Sequence, residues 1–246
     1  MALARAGASV IVAGRNDEGL QKVLGELPAC GGASGGGTSV KQEHGVCCVD
    51  YGDWRAVQAA ADGLAARRTI HIVVHNTGGP AAGFAVDAEP TDYAKAFEMH
   101  VMTGQALVRA FAPGMRSAGY GRIVNITSTS VVTPIKGLGV SNTIRAAVAN
   151  WSRSLAQELS GFGITANTVL PGFTDTARLQ SLFKGKASRS GSSEDEVRKA
   201  AIAGIPAGRL GSPEEIAAAV LFLASPAASY VSGVNLPVDG ARLAGN

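Results

Sequence analysis

The features that mark several specialised protein classes are scarce in this 246-residue sequence. Only 17% of the residues are charged and 5% are aromatic, and no apolar run approaches the roughly 20 residues that span a bilayer. The net charge of +3 is not gathered into a basic run with interleaved aromatic residues, which argues against a nucleic-acid groove. We therefore expect neither a membrane nor a nucleic acid among its partners.

Cysteine is equally scarce. Cys30, Cys47 and Cys48 lack paired metal-ligand spacing, so no metal site is expected. Met1 leads into a short amphipathic helix without the basic start or cleavage region of a secretory signal. A reducing compartment fits this pattern, and we expect the cytoplasm, with an organelle matrix left open.

The sequence does contain enough apolar residues, 46%, to bury the core of one α/β domain over residues 1–246. Short apolar runs alternate with segments of helical periodicity. This alternation predicts a parallel sheet with helices on both faces, the doubly wound Rossmann-type architecture. Strands are predicted at 9–15, 45–50, 70–74, 122–126, 164–170 and 234–238, and helices at 17–27, 54–66, 92–117, 142–160 and from Ser212 onward.

The chain opens partway through such a unit. Residues 1–8 have the pattern of the end of a helix that leads into the strand at 9–15. In a dinucleotide-binding unit, a strand and a glycine-rich turn precede that helix, and the backbone N–H groups of the turn bind the cofactor diphosphate. We expect an N-terminally incomplete sheet that lacks its first strand, and weakened cofactor binding.

Several short motifs follow one another in a fixed order along the chain. They are AGRN at 13–16, NTGG at 76–79, IVNITS at 123–128, PG at 171–172 and GVNLPVDG at 233–240, together with Asp50. In this order they resemble the short-chain dehydrogenase/reductase family, particularly its 3-oxoacyl-(acyl carrier protein) reductase-like branch. The resemblance runs over almost the whole chain.

The resemblance implies NADP(H)-dependent reduction of a carbonyl or 3-oxoacyl group in the complete form of the protein. It implies a small carbonyl compound or acyl thioester as substrate, and assembly of identical chains into a dimer or homotetramer. It also places the first strand between the strands at 9–15 and 70–74. Without that strand, we expect two half-sheets that share no backbone ladder.

Two residues are candidates for the adenosine end of the cofactor. Arg15 directly follows the strand whose end meets the ribose, and a guanidinium there favours the 2′-phosphate of NADP(H). The alternative is an ordinary surface arginine. Asp50 resembles the adenine-contacting acid of the family, with a helix cap as the alternative.

Five further residues are candidates for cofactor binding. Asn76 and Gly78 give flexible backbone beside the cofactor, where glycine permits close approach. Pro171, Gly172 and Thr176 resemble the nicotinamide-facing turn of the family, with Thr176 expected to contact the carboxamide or a phosphate. The alternative for both segments is a plain turn at the end of a strand.

The catalytic positions depart from the usual family pattern. Ser128 matches the serine that polarises the carbonyl. Ser141 stands thirteen residues later, where the tyrosine belongs, Arg145 stands where the lysine belongs, and His100 occupies the usual asparagine position. The spacing of Ser141 and Arg145 still places both on one helix face.

These replacements change the available acid–base chemistry. A phenol has a pKa of about 10, whereas an aliphatic hydroxyl is a far poorer acid, so Ser141 cannot simply replace a tyrosine. Arg145 keeps the positive charge, which can bind the ribose or stabilise a developing oxyanion. His100 is the best remaining acid if it reaches the site directly or through water, although a packing or surface role is the alternative.

Two further segments have distinct compositions. We interpret residues 30–41, which contain CGGASGGG, as a mobile insertion. The polar segment 173–209 resembles the substrate lid of the family, and its cations could attract an acyl thioester, with a solvated loop as the alternative. The cations are Lys184, Lys186, Arg189 and Arg198.

These observations support two hypotheses of different classes. The first is a short-chain reductase whose complete form binds NADP(H) and reduces a carbonyl, while turnover by this chain is in doubt. The second is a catalytically inactive relative that forms oligomers or senses a nucleotide.

Overall fold

The computed structural model describes residues 1–28 and 41–244, so the predicted insertion at 30–41 lies outside the described residues except for its last position. The strands are β1 (Ile11–Gly14), β2 (Gly45–Cys48), β3 (Ile72–His75), β4 (Gly121–Ile126), β5 (Ile164–Pro171) and β6 (Asn235–Val238). The α-helices are α1 (Ala2–Arg5), α2 (Asp17–Glu26), α3 (Trp54–Ala65), α4 (Pro90–Phe97), α5 (Thr103–Ala118), α6 (Gly139–Leu159), α7 (Ala177–Ser190), α8 (Glu194–Ala203) and α9 (Pro213–Ala224). The alternation of strands and helices confirms the predicted α/β fold class.

The strands form two separate parallel sheets. One contains β1 and β2, and the other has the order β3-β4-β5-β6. Within the described ranges no ladder joins β1 to β3, which confirms the expectation of two half-sheets. Residues 10–13 and 72–74 instead line a cavity of about 810 Å³ between them.

The larger sheet is the centre of the domain, because its two middle strands are almost wholly buried. On one face, Ile123 of β4 and Ile164 of β5 pack with Phe111 and Met115 of α5. On the other face, Val124 and Val169 pack with Leu223 of α9. Burial on both faces gives continuous apolar strands, as is usual for parallel sheets.

The helix α9 begins where its sequence predicts. Ser212 Oγ accepts a hydrogen bond from the N–H of Glu215 (3.3 Å), and Glu215 Oε2 accepts one from the N–H of Ser212 (2.8 Å). This reciprocal capping satisfies two N–H groups that have no partner within the helix. It confirms the helix start that the Ser-Pro-Glu-Glu pattern indicates.

The predicted long helix over 92–117 is interrupted. After α4 ends at Phe97, the chain makes a π-helical turn over Glu98–Met102 before α5 begins. The Thr103 hydroxyl lies 3.0 Å from the carbonyl oxygens of both Tyr51 and Glu98, which ties this turn to the loop after β2. Such turns are frequent at functional sites, and His100 lies within this one.

The polar segment at 173–209 is also more ordered than its composition predicts. Helices α7 and α8 pack on a small apolar cluster that includes Leu179, Phe183, Val197 and Ile205.

Among the residues that the structure describes, no helix is both long and apolar enough to cross a membrane. The same residues contain no cluster of three metal-binding side chains.

Candidate active site

A cavity of about 710 Å³ opens at the carboxyl edge of the larger sheet. All strands of this sheet run in parallel, so the segments that follow β3, β4 and β5 meet at the same edge. The cavity has the volume of a typical small-molecule site. Its polar lining comes from these segments and from α6 and α7, and includes Asn76, Thr77, Gly78, Ser128, Ser141, Arg145, Thr176 and Arg178.

The hydroxyl oxygens of Ser128 and Ser141 each accept one hydrogen bond from the protein. Ser128 Oγ accepts a hydrogen bond from the N–H of Ser130 (3.1 Å), in the short 3₁₀ turn that follows β4. Ser141 Oγ accepts one from Nε of Arg145 (3.2 Å) on the next turn of α6. Because each oxygen accepts from the protein, each hydroxyl keeps its own hydrogen to donate to a ligand in the cavity.

The guanidinium of Arg145 is fixed at the end of β4. Its Nη1 donates to the carbonyl oxygens of Ile126 (3.2 Å) and Thr127 (2.8 Å), while its Nε holds Ser141. Burial, together with the nearby charge of Arg178, lowers the pKa of Arg145 to about 10. The group therefore remains a cation near neutral pH and is rigidly placed beside the two serines.

His100 lies behind the cavity rather than in its lining. The side chain is only 3% exposed, and its Nδ1 lies 2.6 Å from the hydroxyl oxygen of Thr77, which does line the cavity. Burial, followed by the charge of Arg145, lowers the pKa of His100 to about 4. At neutral pH this residue is a neutral imidazole whose hydrogen-bonded route to the cavity passes through Thr77.

A second buried histidine, His75, was not singled out by the sequence analysis. It is 4% exposed at the end of β3, with Nδ1 3.3 Å from Asn125 Oδ1, and Asn125 Nδ2 donates to Ser152 Oγ (3.2 Å). Burial lowers the pKa of His75 to about 4. The sequence does show a histidine at the end of an apolar strand, which indicates that the ring is buried. It does not show which groups the ring contacts.

These two histidines predict a marked acid sensitivity of folding. The unfolded chain takes up their protons near pH 6.5 and the folded chain only near pH 4, so stability is lost as the pH falls through this window. Two such groups lower the free energy of unfolding by about 4 kcal/mol between pH 7 and pH 5. Urea denaturation at the two pH values measures this loss.

The double variant H75N/H100N is expected to lose most of this pH dependence. His71 is exposed, so H71N serves as the matched control and should leave the dependence unchanged. An H75N/H100N variant as acid-sensitive as the parent would contradict the assignment of two buried neutral imidazoles.

The other five predicted cofactor-binding residues converge on the cavity. Asn76, Gly78, Pro171, Gly172 and Thr176 all line it. A side-chain carbon added to Gly172 would lie 2.7 Å from the Cα of Asp239, so only glycine fits at this turn. The hydroxyl of Thr176 accepts from the N–H of Leu179 (3.3 Å) and caps α7, whose N-terminal dipole favours an anion in the cavity.

The two predicted adenosine-end residues lie apart from this cavity. Arg15 is exposed directly after β1, and Asp50 follows β2 with its carboxylate accepting from the N–H of Gly52 (2.8 Å). The alternative interpretation of Asp50 as a helix cap is wrong, because Asp53 caps α3 by accepting from the N–H groups of Arg55 and Ala56. Asp50 is therefore a turn residue that accepts from Gly52.

Sequence comparison gives one family and many relatives. Residues 1–241 match the family described as enoyl-(acyl carrier protein) reductase. The chain is 32% identical to an uncharacterised oxidoreductase of Mycobacterium tuberculosis over 98% of this chain and 84% of that protein. It is 35% identical to the 3-oxoacyl-(acyl carrier protein) reductase of Vibrio cholerae over 70% of this chain and 66% of that protein.

Comparison with solved structures supports the same fold. The chain is similar to a Beutenbergia cavernae protein assigned as an NAD(P)-dependent gluconate 5-dehydrogenase, whose crystal structure contains NADP at low occupancy. The TM-score is 0.85 and the identity is 32%, with 99% of this chain and 90% of that chain covered.

Proposed function

The chain belongs to the short-chain dehydrogenase/reductase family, on its 3-oxoacyl-(acyl carrier protein) reductase-like branch, and from this premise we propose that it binds NADP(H) and reduces a carbonyl group. The observation that carries the proposal is the pair of serine hydroxyls, Ser128 and Ser141, each free to donate into the cavity beside the Arg145 cation. Donors arranged in this way fit an oxygen atom on which negative charge develops.

The residues at the carboxyl edges of both sheets fit a dinucleotide. Arg15 and Asp50 end the strand segments of the smaller sheet and would hold the adenosine half, with Arg15 selecting the 2′-phosphate. Gly78, Gly172 and the N-terminus of α7 border the cavity, where backbone can approach a ligand closely. When bound, NADPH supplies a hydride for the carbonyl carbon.

The protein's own contribution is to polarise the carbonyl. Ser128 and Ser141 donate their hydroxyl hydrogens to the carbonyl oxygen, and the fixed charge of Arg145 stabilises the oxyanion that forms there. Because the donors are already held by the fold, they need little rearrangement during the reaction. Arg145 therefore acts electrostatically where the usual family member uses a lysine.

The proton that completes the alcohol is assigned to solvent, because an alkoxide is a strong enough base to take it from water, and the bulk buffer neutralises the hydroxide that remains. Among the described residues that line the cavity, the side chains are apolar groups, hydroxyls, an amide and two arginines, and none of these is an acid near neutral pH. His100 contacts the Thr77 hydroxyl at 2.6 Å through its Nδ1, but its pKa of about 4 leaves it without an acidic proton at neutral pH. In this arrangement His100 holds the hydroxyl of Thr77 in place. Water delivers the proton.

Calorimetric titration of the folded chain with NADPH and with NADH tests the proposal. We expect saturable but weakened binding with preference for NADPH, and R15E should reduce that preference because it places a carboxylate beside the 2′-phosphate. Lys22 is an exposed cation on α2, so K22E is the matched control with the same charge change. Folded chain that binds neither nucleotide would overturn the cofactor assignment and favour an inactive, oligomer-forming relative.

We also propose that identical chains assemble into a dimer or tetramer, in the cytoplasm or in an organelle matrix. Several large apolar side chains support assembly because they are exposed on the single chain, including Phe97, Phe162, Phe222 and Tyr230. Light scattering of the purified chain would distinguish a monomer from either oligomer.

A further inference from the structure

The charged side chains described in the cavity at the carboxyl edge of the larger sheet are all positive. Among the side chains of the described residues that line the cavity, those of Arg145 and Arg178 are the charged ones. The ion pairs found in the described part of the chain involve other arginines, namely Arg68, Arg198 and Arg209. The cavity thus contains two cations and no compensating carboxylate from its described lining.

The two guanidinium groups converge on Gly79. A side-chain carbon built on this glycine would lie 3.3 Å from Nη2 of Arg178 and 3.4 Å from Nη2 of Arg145. Each group is anchored separately, Arg145 on the carbonyl of Thr127 (2.8 Å) and Arg178 on the carbonyl of Pro80 (2.7 Å). Both Nη2 groups therefore lie close to the backbone of Gly79 on one wall of the cavity, where they face the same ligand.

An anion bound there would relieve an unfavourable contact. Arg178 lies close enough to lower the pKa of Arg145, which is the mark of repulsion between like charges. Nε and Nη1 of Arg145 already donate to protein groups, so its Nη2 is the donor left for one carboxylate oxygen, and the Arg178 guanidinium faces the other with a charge-assisted N–H group. The other walls include Ile135, Leu138 and Leu182, which suit a short hydrocarbon chain.

The position of Arg145 requires the carboxylate of the substrate to lie close to its reacting carbonyl group. Its Nε donates to Ser141 Oγ at 3.2 Å, and Ser141 is the hydroxyl assigned to the reacting carbonyl oxygen. An anion on Nη2 of the same guanidinium is consequently a near neighbour of the carbonyl. A short oxo acid, in which a carboxylate and a ketone are separated by one or two bonds, satisfies both positions.

We propose that Arg145 and Arg178 form a carboxylate subsite, which makes short oxo acids better substrates than their neutral esters. This inference rests on the proposed reductase function and names its substrate class. Arg178 sets the specificity, because it contacts the carboxylate and not the reacting carbonyl.

Acetoacetate and methyl acetoacetate provide a matched pair of probes, since they share the reacting ketone and differ in the carboxylate charge. With NADPH, we expect kcat/KM to be about tenfold or more higher for the acid, which corresponds to about 1.4 kcal/mol. R178M should lower kcat/KM for the acid about tenfold more than for the ester, chiefly through KM. R153M, at an exposed position on α6, is the control and should change neither.

A second measurement separates this inference from the proposed reaction. Binding of 3-hydroxybutyrate and of its methyl ester is followed by ligand-observed NMR, with and without NADP⁺, in the parent chain and in R178M. Arg178-dependent binding of the acid alone supports the subsite even if neither ketone is reduced, a result that would overturn only the reductase proposal. Equal loss of acid and ester turnover in R178M, accompanied by weaker NADPH binding, would assign Arg178 to a cofactor phosphate and overturn the subsite.

Discussion

Replacement of Arg145 by methionine is expected to lower kcat/KM for carbonyl reduction by about a hundredfold to a thousandfold. The guanidinium places a positive charge beside the oxyanion and holds Ser141 through its Nε at 3.2 Å. Loss of one such preorganised group typically costs this much in rate. Stopped-flow or steady-state measurement of NADPH oxidation gives the change directly.

Two further variants make the result specific. R145K keeps a positive charge but loses the planar group that connects Ser141 to the carbonyls of Ile126 and Thr127, so we expect an intermediate rate. R153M removes a surface arginine from the same helix and should retain the parent rate. A folded R145M variant with unchanged kcat/KM would contradict the electrostatic role.

Replacement of Ser128 or Ser141 by alanine is the second change for which we expect a large loss of activity. S128A and S141A are each expected to lower kcat by about a hundredfold, because each removes one hydrogen-bond donor to the developing oxyanion. KM should change much less, since the donors interact most strongly with the charged transition state. The double variant should lose less than the product of the two single effects, because the donors serve the same oxygen atom.

The control for the serine variants is S154A. Ser154 lies on the exposed side of α6, where its hydroxyl donates to the Asn150 carbonyl at 3.5 Å. This substitution should leave kcat unchanged. Serine variants that raise KM while keeping the parent kcat would assign Ser128 and Ser141 to ground-state binding and contradict their role in stabilising charge.

The sequence predicted the alternation of strands and helices because each element has its own periodicity. The family resemblance, rather than the periodicity, implied that the half-sheets share no ladder, because it places another strand between those at 9–15 and 70–74. The sequence did not predict the π-helical turn at Glu98–Met102. One extra residue per turn hardly alters an apolar pattern, and this turn is fixed by the contact of Thr103 with the carbonyl of Tyr51.

The site was predictable where residues are close in sequence. The four-residue spacing of Ser141 and Arg145 correctly placed both on one face of α6. Arg178 could not be found in this way, because the packing of α7 brings it beside Arg145. Nor did the sequence reveal that His100 is screened from the cavity by Thr77, since burial depends on elements distant in the chain.

The residues predicted to bind the cofactor, all of which remain predictions, also differ in how far their position could be inferred from the sequence. Asn76, Gly78, Pro171, Gly172 and Thr176 follow parallel strands of one sheet, so their convergence at one cavity was predictable from the topology. Arg15 and Asp50 belong to the separate two-stranded sheet. Their role at the adenosine end therefore stays a prediction, which the R15E titration tests.

The most direct test of carbonyl reduction is a single-turnover reaction of the folded chain with acetoacetate and NADPH that carries deuterium at the transferred position. Mass spectrometry of the 3-hydroxybutyrate product should show one deuterium on the carbinol carbon, and the yield should fall sharply in R145M. Product without deuterium, or no product from folded chain at saturating NADPH and acetoacetate, would contradict hydride transfer to an oxo acid in this cavity.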